Sequence, residues 1–186
     1  MRYRMVQGGI MGYQVYISEE SEQSIQRITQ INGYGYHLNS VYICCASMMV
    51  ERMLDLSFPP EMCAQFALRC GVTEETDFLL LAGAIAGRFS LHHAICNEEE
   101  AFARVNDGAK AVLEFTLSAE GRRRYYLLDH IRKNQLYIIN PSYQQGKGIP
   151  RSKKRLIETK DEYSIVPKDV YGTFYPENGK YYVFSA

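Results

Sequence analysis

The sequence predicts an α+β fold, with helices in the first part of the chain and an antiparallel sheet in the second. Three observations carry this. Apolar residues recur at three- and four-residue spacing from about residue 40 to residue 106, the period of a helix. After Gly108 the period shortens to that of strands, in short runs rich in Val, Leu, Ile, Tyr and Phe. No repeat, low-complexity tract or linker composition interrupts the chain, so its 186 residues are expected to form a single domain, 1–186, around one sizeable core.

Each element has its own local signal. "IMGYQVYI" (10–17) reads as a short strand or extended arm, and Ile25–Ile31 as a brief apolar-periodic stretch before the turn "NGYG" (32–35). From Asn39–Ser40, either of which can cap free N–H groups, Val41, Cys44/Cys45, Met48/Met49 and Leu54 mark a long central helix ending near Asp55. Glu51 and Arg52 fall outside that stripe. "FPPEMCAQFALRCG" is a second helix, with Pro60 in its first turn and Gly71 just past its end. "DFLLLAGAIAGRFS" is a third, capped by Asp77 and apolar enough to be mostly buried. "NEEEAFARVNDG" is a fourth, where Asn97 caps, Glu100 completes a capping box and acids sit at the positive end of the dipole. "KAVLEFTL" (110–117), "YYLLDHI" (125–131) and "QLYIIN" (135–140) are strands, the last two joined by "RKN" as a three-residue hairpin turn. Residues 144–161 read as an exposed loop, and "EYSIV" and "YYVFSA" as further strands.

Composition excludes several function classes. The chain is 46% apolar and 23% charged with a formal net charge of zero, so no global field draws it to nucleic acid or to a membrane surface. Its five cysteines match no zinc spacing and are expected to be buried free thiols in a reducing compartment. No segment approaches the roughly 20 apolar residues of a membrane span, and the N-terminus has no signal-peptide pattern. A soluble cytoplasmic protein without cofactor or metal is the expectation.

"GYHLNSVYI" (35–43), with Gln30 six residues before Tyr36, resembles the helix start of papain-like cysteine peptidases of the bacteriocin-processing type. There a Gly-Cys-x-x-(Thr/Ala)-Ser pattern opens the central helix: Gly35 and Ser40 match, and Tyr36 stands at the Cys. "FPPEMCAQFALRCG" resembles the family's second helix, and "AGAIAGRFSLHHAICNEEEAFARVNDGAKAVLEFT" its next stretch. "RYYLLDHIRKNQLYIINPS" (124–142) is similar to its His-bearing strand and Asp-Pro end. The resemblance covers roughly residues 30–143. It implies a papain-like fold, with N-terminal helices and a long central helix packed on a C-terminal antiparallel sheet.

The same resemblance assigns the active positions, and they are degenerate. Gln30 holds the place of the oxyanion-hole Gln, Tyr36 of the Cys, Arg124 of the His and Asn140 of the Asp. A phenol with a pKa of about 10 is a poor nucleophile toward a peptide carbonyl, and Arg stays protonated at any working pH, so it is no base. The resemblance therefore implies a non-catalytic module, a pseudoenzyme that binds an extended peptide or a partner's tail in the remnant cleft. Gln30, Tyr36, His37, Arg124 and Asn140 would line that cleft.

Other residues carry competing readings. Cys44 or Cys45 with His130 would make an active thiol hydrolase, although a thiol one to two turns into a helix loses the help of its dipole. His92, His93 and Cys96 lie in one strand-like run, a poor cage for a metal. Arg122–Arg124 and "RSKKR" (151–155), part of the basic loop 146–155, could grip phosphate or nucleic acid. Zero net charge and the lack of interleaved aromatics weigh against that.

Overall fold

Helix α1 (Ser40–Leu54) organises the structure, because it is buried on almost every side. A computed structural model describes residues 40–73, 76–116, 123–141, 157–160, 163–175 and 179–186. Within it, the run from Tyr42 to Arg52 is buried without a break. Burial includes Glu51 and Arg52, although both fall outside the apolar stripe. The helix packs on strands on one side and on a second helix on the other, so it has no solvent face to give them. Glu51 Oε1 accepts from the Phe58 amide at 2.7 Å, and the Ser47 hydroxyl donates to the Phe58 carbonyl at 2.5 Å. These two bonds satisfy the turn that leads out of α1.

The next helices form where their caps predict. Helix α2 (Pro60–Arg69) has its proline in the first turn, and Gly71 follows its end at φ +78°, a conformation that favours glycine. In α3 (Phe78–Phe89) the Asp77 carboxylate accepts from the Leu79 amide at 3.1 Å. Only one side of α3 is buried (Phe78, Leu81, Ala82, Ile85), whereas Leu79 and Leu80 are 42% and 45% exposed. The helix is thus a one-sided cover, not the mostly buried element its hydropathy suggests. In α4 (Glu98–Asn106) Asn97 caps through the Glu100 amide at 2.9 Å, and the Glu100 carboxylate accepts from Arg104 one turn on, at 2.6 Å.

Among the described residues, seven strands make one sheet in the order β1-β7-β2-β3-β4-β6-β5, every pairing antiparallel. They are β1 (His92–Cys96), β2 (Lys110–Thr116), β3 (Arg123–Arg132), β4 (Gln135–Ile139), β5 (Glu158–Lys160), β6 (Tyr163–Pro167) and β7 (Lys180–Ser185). Two features depart from the helices-first reading. Strand β1 lies between α3 and α4 in the chain, and its partner is the last strand, β7, which inserts between β1 and β2. Strand β5 falls inside the stretch expected to be loop. The β3–β4 hairpin turns on two residues, not three: Arg132 pairs with Gln135, and Lys133 and Asn134 sit at φ +52° and +59°. Two consecutive left-handed residues make the tight turn whose twist suits a two-residue hairpin. A 3₁₀ turn (Lys168–Val170) and a short helix α5 (Tyr171–Phe174) precede β7.

The sheet separates two cores. On one face α1, α2 and α3 pack on Val112, Tyr125, Leu127, Ile139, Tyr182 and Phe184. On the other, α4 and Tyr171 of α5 pack on Ala111, Leu113, Phe115, Leu128, Ile138, Tyr181 and Val183. That second core is strongly aromatic. Phe115 lies 5.4 Å from Tyr175, centroid to centroid, Tyr171 stacks on Tyr175 at 4.5 Å, and the Tyr171 and Tyr181 hydroxyls meet at 3.0 Å. Gly179 is required there, since a Cβ on it would stand 2.4 Å from the Phe115 ring. The early strand 10–17, the Ile25–Ile31 stretch and the "NGYG" turn lie outside the described residues.

Candidate functional site

The face of the sheet under α1 carries two buried carboxylates, one near each end of the helix. Strand β2 places them in context. Lys110, Val112 and Glu114 share that face by strand alternation, so the Lys110 end and the Glu114 end are about 13 Å apart at about 3.3 Å per residue. Tyr42, in the first turn of α1, lies against Tyr125 at the Glu114 end, with ring centroids 5.4 Å apart. Arg52, in the last turns, reaches Asp129 at the Lys110 end.

The Asp129 end is made by a β-bulge. Leu128 pairs with Ile138 and His130 with Tyr137, so Asp129 is an extra residue in β3 with no cross-strand partner. Strict alternation would send Asp129 and His130 to opposite faces. The bulge turns both to the α1 side, where His130 stacks on Tyr137 at 4.1 Å and meets the Tyr163 ring edge-on at 5.4 Å. Asp129 Oδ1 accepts from Lys110 Nζ at 2.6 Å. Its Oδ2 accepts from the Tyr163 hydroxyl at 2.9 Å, has His130 Nδ1 at 2.9 Å, and lies 3.5 Å from Arg52 Nη1. Arg52 Nη1 also donates to the Tyr163 hydroxyl at 2.9 Å. Burial alone would raise the Asp129 pKa. The His130 hydrogen bond and the Lys110 and Arg52 charges outweigh it and hold the carboxyl well below the usual carboxylate range.

The Glu114 end is built differently. Glu114 pairs directly with Tyr125 on β3 and with Lys180 on β7. Its Oε2 accepts from the Tyr125 hydroxyl at 2.9 Å and from the Tyr182 hydroxyl at 3.4 Å. Its Oε1 has Lys180 Nζ at 3.9 Å, beyond hydrogen-bond reach, and that lysine side chain is 53% exposed against 6% for Glu114. Arg123 stands nearby, and its interaction with Tyr125, then the Glu114 charge, raise the guanidinium pKa. Burial first, then the Glu114 charge and hydrogen bond, push the Tyr125 phenol well above its ordinary value, and burial does the same for Tyr182. Both phenols therefore stay protonated and serve as donors. Phe78 closes the aromatic wall, 4.9 Å from Tyr182 and 5.7 Å from Tyr42.

The expected cleft residues are divided by this geometry. Gln30, Tyr36 and His37 lie outside the described residues. Asn140 directly follows β4 and is half-buried; the adjacent Ile139 pairs with Leu127, two residues from Tyr125, so Asn140 is at the Glu114 end of the sheet. Arg124 is at that end too, but on the wrong face. It pairs with Phe115, which belongs to the α4-side core, and cross-strand partners share a face. Tyr125, not Arg124, is what β3 presents to the first turn of α1. A one-residue slip in alignment moves a strand side chain to the other side of the sheet, and the difference here is one residue.

The competing site residues are scattered. Cys44 and Cys45 are wholly buried in the α1-side core, and burial, together with the Cys44 charge, pushes the Cys45 thiol well up. An attacking thiolate needs the opposite shift. His130 is committed to Asp129, alongside Arg52, two helical turns beyond Cys45, about 10 Å along the axis. His92 is exposed, His93 packs on Phe184 on the α1 side, and Cys96 belongs to the opposite core. Among the described residues no group of three or more His, Cys, Asp and Glu side chains could hold a metal ion. No described helix is long and apolar enough to cross a membrane. The basic segments 122 and 151–155 lie outside the described residues.

No family model matches the chain, and no curated protein does. Among solved structures it is similar to the Pseudomonas avirulence protein AvrPphB, with a TM-score of 0.36 and 8% identity. That comparison spans 94% of this chain and 98% of the other. An α+β molecule with an antiparallel sheet, helices on both faces and two carboxylates beneath its central helix is the class the fold and site define.

Proposed function

We propose that this chain is a papain-like framework without peptidase chemistry, and that it binds an extended peptide or a partner's tail beside the first turn of α1. One observation carries the reading. The β3 residue facing that turn is a phenol tied to a buried carboxylate, where a working peptidase needs an imidazole. Tyr125 is held protonated by burial and by Glu114, so it can donate a hydrogen bond but cannot accept a proton as a base. The sequence supports the same conclusion at the nucleophile, with Tyr36 where the resembling family has Cys. An extended ligand is what the resemblance implies for the cleft at this end of the sheet. Gln30, Tyr36, His37 and Asn140 belong to the proposal as flanking residues, with Glu114 added and with Tyr125 in the place of Arg124, which pairs with Phe115 on the other face of the sheet.

Calorimetry or chemical-shift mapping with unstructured peptides of two to ten residues tests the reading. Binding with shifts at Tyr42, Tyr125 and Tyr182 is expected; a library that leaves these signals unmoved sinks it. The thiol-hydrolase alternative meets its own test in the same sample. Iodoacetamide at neutral pH should leave Cys44 and Cys45 unmodified in the native protein, and fast labelling at either would restore that reading.

A further inference from the structure

The two carboxylates under α1 differ in how their charge is met, and the difference points to a ligand. Asp129 has two cations within 4 Å, one of them at 2.6 Å, together with an imidazole and a phenol. Glu114 is as deeply buried, yet among the described residues its one cation within that range is Lys180, 3.9 Å away and half in solvent. Burying an ionised carboxylate is costly unless the charge is paired and its lone pairs are taken. Two phenols occupy Oε2. Among the described residues the cation nearest Oε1 is the long, half-exposed Lys180 ammonium, beyond hydrogen-bond distance.

Lys180 is well placed as a substitute. It is the cross-strand partner of Glu114, on a flexible four-carbon stem, and it can swing into water without disturbing the sheet. The groups around Oε1 also suit a positive charge: Tyr125 and Tyr182 flank the carboxylate, and Asp77, at the start of α3, adds its negative field to Tyr182 and Arg123. Arg123 is the opposing charge; it acts on Glu114 through its field and forms no ion pair with it within 4 Å.

We propose that Glu114 Oε1 is the anchor for a cationic group of the bound polypeptide, a primary ammonium or a guanidinium, which takes the place of the Lys180 ammonium. This rests on the peptide-binding reading and specifies its substrate class as chains that carry a Lys, an Arg or a free N-terminus in the segment crossing the Glu114 end of the sheet. A guanidinium would reach Oε1 with a directed N–H, whereas Lys180 stops short of one.

The test uses the full chain and three probes: butylguanidinium, and two acetylated, amidated pentapeptides that differ only in a central Lys or norleucine. Binding is followed by NMR at the Tyr125, Tyr182 and Lys180 signals. The Lys peptide should bind at least about tenfold tighter than the norleucine peptide, since a charge-assisted hydrogen bond is at stake. In Glu114→Gln that preference should vanish. Lys180→Ala, an exposed position that leaves folding intact, should bind the Lys peptide about threefold or more tighter, because the competitor is gone. Equal binding of the two peptides, or weaker binding in Lys180→Ala, overturns the proposal while leaving peptide binding standing. Butylguanidinium binding without any peptide binding upholds the cation site and removes the peptide reading. No response to any probe overturns both.

Discussion

The two ends of α1 solve the same electrostatic problem in opposite ways. Each places a carboxylate in the sheet beneath the helix, nearly out of reach of water. At the Asp129 end every partner comes from a different element: Arg52 from α1, Lys110 from β2, His130 from β3 itself and Tyr163 from β6. That end ties the helix to three strands. At the Glu114 end the described partners are two phenols, a distant lysine and the nearby charge of Arg123, and Tyr42 of α1 sets an aromatic ring against Tyr125. The first arrangement is a closed structural junction. In the second, no described cation comes within hydrogen-bond reach of Glu114, next to the helix start where the proposed ligand would lie. Saturation distinguishes a carboxylate used for holding from one kept for binding.

Breaking the junction should give the largest effect. Asp129→Ala leaves Arg52 and Lys110 facing an apolar gap, and removing one partner of a buried pair costs about 3–5 kcal/mol. Urea unfolding should show a large drop in midpoint. The wild type should show the same dependence in acid. The Asp129 carboxyl is depressed in the folded state, so its stabilisation is fully present above the ordinary carboxylate value of 3.8 and is lost as pH falls below it. Asp129→Ala should flatten this part of the stability profile; an unchanged acid limb would mean that the junction contributes nothing. Tyr163→Phe comes next. It removes the hydroxyl shared by Arg52 and Asp129 but keeps the ring edge-on to His130, for an expected loss of about 1–2 kcal/mol.

How much of this was legible in the sequence follows from how local each signal is. Caps and turns were readable because Asp77, Asn97, Pro60 and Gly71 act within one turn of their own position. Strands β2, β3 and β4 were readable because consecutive antiparallel strands need only a hairpin. Strand β1 was harder, since its partner β7 lies some 90 residues away by sequence position. The burial of Arg52 and Glu51 does not follow from their lying outside the apolar stripe, because such a stripe presupposes a solvent face and the run from Tyr42 to Arg52 has none. The uncharged run "VYICCASMMV" just before them was the available clue: a helix apolar all round is buried, so any charge on it must be paired. Likewise an acid within an apolar strand run, as in "VLEFT" and "YLLDHI", signals a partnered carboxylate, although nothing in the sequence says which cations meet it. Arg124 was assigned one residue from the helix-facing position, and only strand register could reveal that.

At the open end the expected effects on stability are smaller, and their smallness is the point of the comparison. Glu114→Gln keeps an oxygen to accept from Tyr125 and Tyr182 and removes a charge that is only partly met, so unfolding should change by about 1 kcal/mol or less. A loss as large as that of Asp129→Ala would make Glu114 a second junction and remove the contrast. High pH offers a further check. Tyr125 and Tyr182 are raised above their ordinary value of 10.0, so the folded state holds their protons longer than the unfolded state does. Their contribution is complete below pH about 10 and declines as pH rises beyond it. Tyrosinate absorbance from these two rings should therefore appear only with unfolding.

Lys180→Ala should have the smallest effect on stability and the clearest meaning. A half-exposed ion pair at 3.9 Å is screened by water and contributes about 0–0.5 kcal/mol. Unfolding midpoints of the wild type and the variant should coincide within that range at low and high salt. If Lys180 were the true counter-ion of Glu114, its removal would strand a buried charge, and the loss would approach that expected at Asp129. A stable Lys180→Ala protein therefore means that Glu114 tolerates an unfilled position. A carboxylate that tolerates that vacancy within a folded core is one whose partner can come from outside the chain.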